Sequence, residues 1–296
     1  MRWQPYIVGL IDLLGQSRKL NELSLLWWNR YVADGAVDDK LESIHTLTIA
    51  TYDEVEYLRE LFPRTVEGLK KDALERTGNY HLTECQQDML MRMTTSVCTF
   101  RSFSDMVVFC APVDLSDGLV TRFRITAMLQ ACLSVLLLEF KAGTFFRGGI
   151  EIGIACELSN GDVYGPALSE AHRLEKEVAQ YPRVVIGQRL SEFVRCKGHG
   201  SDSGTFRGLL LAGVNRLCEG LVCRDDDGTM IVDYLGKTAS DLSRFKGSKA
   251  SDFVRRGLSS IGDELDVAKK EGNEKLIERY EKLQAYYQSR MKFWDV

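Results

Sequence analysis

Residues 6–12 read Tyr6-Ile7-Val8-Gly9-Leu10-Ile11-Asp12, a continuous apolar run, β-branched in part, that stops on a carboxylate. Unbroken rather than alternating hydrophobicity is the pattern of a central strand covered on both faces. A second carboxylate stands inside Cys98-Thr-Phe-Arg-Ser-Phe-Ser-Asp105-Met-Val-Val-Phe-Cys110, whose two arms predict a hairpin with Asp105 at its turn. Either aspartate alone fits a structural role, Asp12 as the N-cap of a following helix and Asp105 as an ordinary turn residue. Together they would bring two hard oxygen ligands to one edge of a sheet, which suits Mg²⁺ carrying a polyphosphate.

The rest of the composition bounds the partners. The chain has 296 residues, 45% hydrophobic and 27% charged, with a net charge of −4. That is an ordinary globular balance with room for one large domain and an appendage, or two domains. It gives no general attraction to nucleic acid or anionic membrane, so phosphate binding has to come from local groups. The eight cysteines are scattered without a CxxC pair, and Cys218 and Cys223 lack the second pair a zinc site needs. Reduced core cysteines and a cytoplasmic setting are expected. Met1 to Pro5 leads directly into the first strand with no cleavage site, and the longest apolar stretch, Ala127 to Leu138, is interrupted by Gln130 and Ser134 and falls short of a membrane span.

Along the chain, residues 18–95 read as a helical insertion, with apolar spacings of three and four at Glu54–Phe62 and Glu84–Met93, punctuated by Pro63 and by Gly78-Asn79. A long helix is predicted around 121–141, ended by Lys141 and Gly143, then a strand over Phe145–Ala155 and a turn at Asn160-Gly161-Asp162. A helix from Pro166 to about Gln180 precedes a short strand at Val184–Ile186, and Asp225–Gly228 joins a second hairpin. At the end, Phe253, Leu258, Ile261, Leu265 and Ala268 form one helical stripe, and Leu276, Ile277, Tyr280, Leu283 and Tyr287 another after an Asn273 N-cap. An antiparallel pair is expected, burying its stripes on the core or on a second subunit.

Three further segments carry polar groups. Arg147-Gly148-Gly149 offers a guanidinium, with glycines that would let a helix pack closely across the sheet. In Gly161-Asp162-Val-Tyr-Gly165-Pro-Ala-Leu-Ser169-Glu-Ala-His-Arg173-Leu-Glu175, Ser169 and Arg173 lie one turn apart on one helix face. They could orient a ribose and neutralise charge developing on phosphate, or Arg173 could simply pair with Glu170 or Glu177. His172 has no nucleophile and orienting acid beside it, and Gly198–Gly204 has the composition of a phosphate loop without its order.

Taken in order, the strand ending in Asp12, the hairpin Asp105, Arg-Gly-Gly-Ile and Gly-Asp-x-x-Gly-Pro resemble the class III nucleotidyl cyclases. More narrowly, FSDMVVF, FFRGGIEIG, DVYGPALSEAHRLE and YPRVVI are similar to the pyrimidine cyclases of Pycsar anti-phage defence systems, which make cyclic UMP or cyclic CMP. The resemblance implies an α/β fold, an α+β sandwich: a mixed, mainly antiparallel sheet flanked by helices in a cyclase domain over 1–238, with the insertion at about 18–95 and a helical extension over 239–296. It implies a homodimer with composite active sites and two Mg²⁺ or Mn²⁺ ions per site, the metal set being Asp12, Ile11, Leu13 and Asp105. Arg173 would be the transition-state arginine, and Ser169 stands where the family keeps an asparagine that holds the ribose. Arg101 and Asp162 match the base-reading positions, and Tyr52 could stack on the base. The implied substrate is UTP ahead of CTP, and the cyclic product would be sensed by a separate effector. An adenylate or guanylate cyclase, and a catalytically silent nucleotide-binding dimerisation module, are the alternatives.

Overall fold

In the first strand, β1 (Gln4–Leu13), Ile7, Ile11 and Leu13 bury on one face while Tyr6, Val8 and Leu10 bury on the other. This is the computed structural model of the chain, and it describes residues 2–14, 20–26, 28, 38–78, 81–94, 98–139, 145–196, 204–243 and 248–295. β2 (Thr99–Phe103) and β3 (Met106–Pro112) form the expected hairpin, and β4 (Phe146–Glu157), β5 (Val163–Tyr164), β6 (Val184–Ile186), β7 (Val222–Arg224) and β8 (Met230–Val232) follow. The sheet runs β2-β3-β1-β4-β6-β8-β7, with β5 paired to β4. Only the β4–β6 pairing is parallel among these, so the sheet is mixed and mainly antiparallel, with β1 central.

One face carries α1 (Asp38–Gly78), α2 (Glu84–Thr94), α3 (Gly118–Glu139) and α6 (Phe206–Gly220), with α1, α2 and α6 all resting on α3. Pro63 does not break α1, contrary to the sequence reading. Phe62 and Val66 are fully buried on either side of it, and Phe62 stacks on Phe109 with ring centroids 4.5 Å apart. Burying such side chains contributes about 1.5–3 kcal/mol each, which offsets the roughly 3 kcal/mol a helical proline costs. α3 also begins earlier than read. Its Gly118–Leu137 segment is long and apolar enough to cross a membrane by length and composition, but 78% of the window is buried within the molecule, the signature of a core helix. Lys141, Gly143, Gly15 and Asn79 lie outside the described residues, as does most of Gly198–Gly204.

The opposite face is covered by α4 (Pro166–Arg173), which runs on into a π-helical turn at Leu174–Val178, whereas α5 (Gln188–Arg195) meets α6 and α3, its Phe193 carbonyl accepting from Arg122 at 3.1 Å. Gly165 enters α4 at φ 140°, a conformation that side-chain-bearing residues rarely adopt. Gly149 lets α4 sit on β4: a Cβ there would lie 2.4 Å from the Ala171 carbonyl oxygen and 2.6 Å from Leu174 Cβ. Gly149→Ala is therefore expected to cost about 1–3 kcal/mol by lifting the helix, read as a lower melting temperature; an unchanged melting temperature would contradict this packing. Glu151, buried on β4, accepts the Leu190 amide at 2.8 Å and so caps α5 from across the sheet.

A short helix, α7 (Lys237–Leu242), leads to the tail. α8 (Ser248–Glu271) and α9 (Glu274–Arg290) form the expected pair, with Asn273 accepting the Leu276 amide at 3.2 Å. Their stripes close on this chain's own core. Val254, Ile261, Leu283, Tyr286 and Tyr287 join the main cluster, Phe145 meets Tyr280 edge-on, and Asp233 accepts from Tyr286 and Arg290 at 2.9 Å each. The cysteines divide differently from the reading: Cys110, Cys132, Cys156 and Cys218 are buried, but Cys85 and Cys196 are exposed. Burial lifts the Cys218 thiol to about 11 and Cys223 to about 12, which keeps both protonated in the metal-free chain.

Candidate active site

The end of β1 and the β2–β3 turn meet through the backbone. Asp12 is the register partner of Met106, and the Leu13 amide donates to the Asp105 carbonyl at 3.2 Å. The turn itself is strained: Ser104 holds φ 53°, a left-handed conformation uncommon for serine. From α1, Arg59 donates to the Ser104 carbonyl at 3.2 Å. The adjoining carboxylates anticipated from sequence are thus brought to one edge. Ile11 and Leu13 turn their side chains into the core, so only their main-chain oxygens could face a cation.

Behind Asp12 lies a network the sequence did not disclose. Arg147, its register partner on β4, donates to Asp12 Oδ2 at 3.3 Å and pairs through Nε with Glu175 Oε1 at 2.5 Å. Glu175 is 3% exposed, turned inward by the π-helical segment; the irregular turn has no sequence signature, so its carboxylate read as one more helix charge. The Asp12 carboxyl is pushed up to about 7 by burial first and then by Glu175 and Asp105, with Arg147 pulling in the opposite direction. A group in this state gains from a cation. Among the described residues no three His, Cys, Asp or Glu groups form a closed metal cage. Mg²⁺ does not need one, because it binds through one or two carboxylates and takes its other ligands from water and substrate phosphates. Asp12 and Asp105 fit that role, while Glu175 is committed to Arg147.

Arg101 and Asp162 also come together, Nε to Oδ1 at 3.8 Å, with both side chains about half exposed. Arg101 sits opposite Val108, itself opposite Leu10, on the sheet face that also bears Asp12. The strand spacing puts the pair on the order of 10 Å from Asp12, the span of a nucleotide rather than of a direct contact. Tyr52 is 62% exposed on α1, two helical turns before Arg59. Ser169 and Arg173 are not brought to this edge. They point outward from α4, and Arg173 is held by Glu170 at 3.0 and 2.7 Å and by Glu177 at 3.7 Å. His172 is exposed on the same helix. No protein-family model, curated protein or solved structure matches the chain.

Proposed function

We propose that this protein is a metal-dependent nucleotidyl cyclase of the class III type that converts UTP, or less favourably CTP, to the 3′,5′-cyclic monophosphate and pyrophosphate. The observation that carries the reading is the pairing of Asp12 with Asp105 at one sheet edge, with Asp12 lifted to about 7 in the absence of a cation. Two adjacent, partly buried acids repel each other and have no physical reason to persist without one. That argues against the silent dimerisation module.

Mg²⁺ or Mn²⁺ held there would lower the pKa of the ribose 3′-hydroxyl and neutralise the triphosphate. The chain's own groups then supply positioning and charge. Arg147 keeps Asp12 in place. The Arg101–Asp162 pair presents a donor and an acceptor to the edge of a pyrimidine. In a homodimer, Arg173 of the opposite protomer would meet the charge developing on the α-phosphate as the 3′-oxygen attacks in line and pyrophosphate leaves, with Ser169 donating to the ribose. Arg173 must exchange Glu170 for phosphate to do so, and an exposed pair of this kind holds it by only about 0–1 kcal/mol. The product would act as a second messenger in anti-phage defence. Asp162, an exposed acceptor able to take an exocyclic amine, favours a conventional adenylate cyclase as the second reading.

Pyrophosphate release from UTP with Mn²⁺ tests the reaction class. Turnover per chain should fall on dilution, because each site needs two protomers; absence of metal-dependent release at every concentration would leave the silent module.

A further inference from the structure

α9 places Lys275, Arg279 and Lys282 on one stripe. Across a cavity of about 300 Å³ stands Lys176 of the π-helical turn, with Gln180 just beyond it, and Glu278 completes the wall. Four cations thus line a cavity with one carboxylate, which is already taken: Lys282 Nζ lies 2.7 Å from Glu278 Oε1. Among the described residues none brings a carboxylate within ion-pair distance of Lys176, Lys275 or Arg279. Arg279 is half-buried, and burial together with the nearby charge of Arg147 holds its pKa below the usual arginine range. Lys176, Lys275 and Lys282 stand exposed around the cavity, so the half-buried Arg279 guanidinium is the charge that an anion there would complete.

We propose that the cleft between the π-helical turn and α9 is a binding site for a polyphosphate group of di- or triphosphate size. A guanidinium flanked by ammonium groups is suited to phosphate oxygens, and the cavity is of the volume small ligands occupy. Its place in the fold ties it to the candidate active site. Neighbouring residues of one turn serve both, Glu175 reaching Arg147 and Lys176 facing the cleft, while Arg279 feels the charge of Arg147. The site stands on its own residues and holds whether or not the cyclase reading does.

The test is calorimetric titration of the full chain with inorganic tripolyphosphate, with UTP and with uridine, in EDTA so that no divalent cation supports binding at Asp12 and Asp105. Tripolyphosphate should bind, uridine should not, and affinity should fall at least tenfold in Arg279→Gln and in the surface double variant Lys275→Gln/Lys282→Gln. UTP binding as tightly as tripolyphosphate identifies a nucleotide tail as the ligand; much weaker UTP binding identifies free polyphosphate. No binding of tripolyphosphate at millimolar concentration, or equal binding by wild type and both variants, overturns the proposal.

Discussion

Arg183→Ala is expected to destabilise the chain by about 3–5 kcal/mol, the cost of removing one partner from a buried ion pair. Arg183 is 2% exposed at the start of β6 and is bonded to Asp225, to Asp227 Oδ2 at 2.7 Å and to the Val178 carbonyl at 2.8 Å. Its guanidinium also lies over the Tyr181 ring, 4.6 Å from the centroid, and Tyr181 itself bonds to Asp225. One side chain therefore ties the end of the π-helical turn to the β7–β8 hairpin, and its loss leaves Asp225 poorly solvated without a counter-charge. The melting temperature should fall by roughly 5 to 8 °C for a chain of this size. The pH dependence follows the same cluster. Burial works upward on Asp227, but bonds from Arg183 and Thr229 and the charge of Arg183 bring it to about 2. Its contribution is present above about pH 4 and is lost as the pH falls toward 2. A loss under 1 kcal/mol in Arg183→Ala would contradict this account of the hairpin.

Asp12→Asn should separate stability from activity. In the unfolded chain Asp12 titrates near 3.8, and in the metal-free fold near 7. Between those values the fold holds a proton that the unfolded chain has released, so wild-type stability falls as the pH rises from about 4 to about 7. Asparagine resembles the protonated acid at every pH. The metal-free variant should match wild type near pH 4 and exceed it at pH 8 by a few kcal/mol, with about 4 kcal/mol as the upper limit. Added Mn²⁺ should raise the wild-type melting temperature at pH 8, less so below pH 7 where protons compete, and leave the variant unmoved. Turnover should drop by about a hundredfold or more. A variant less stable than wild type at pH 8, or one that keeps full turnover, would contradict a cation site built on this carboxylate. Such a trade of stability for a charged site is common where function needs poorly solvated groups.

Much of this was legible in the chain. The unbroken apolar run before Asp12 marked the central strand, because burial on both faces removes the alternation that a half-exposed strand keeps. The hairpin around Asp105 and the paired tail helices followed from equally local patterns. The continuous helix through Pro63 was not legible, since it is long-range packing of Phe62 on Phe109 that outweighs the local cost of proline. Nor was the inward turn of Glu175, which depends on a π-helical segment, or the meeting of Lys176 with Arg279, which depends on where the tail docks. Arg173 illustrates the remaining gap. Its partners in this chain are Glu170 and Glu177, and the composite site proposed for a homodimer is what would bring it to a substrate.

The central claim is best tested by incubating the purified chain with each of ATP, GTP, CTP and UTP in Mn²⁺ and identifying the products by mass. Cyclic UMP from UTP, or cyclic CMP from CTP, with one pyrophosphate released per cyclic nucleotide, is the predicted result; the recovery of all four triphosphates unchanged would contradict it.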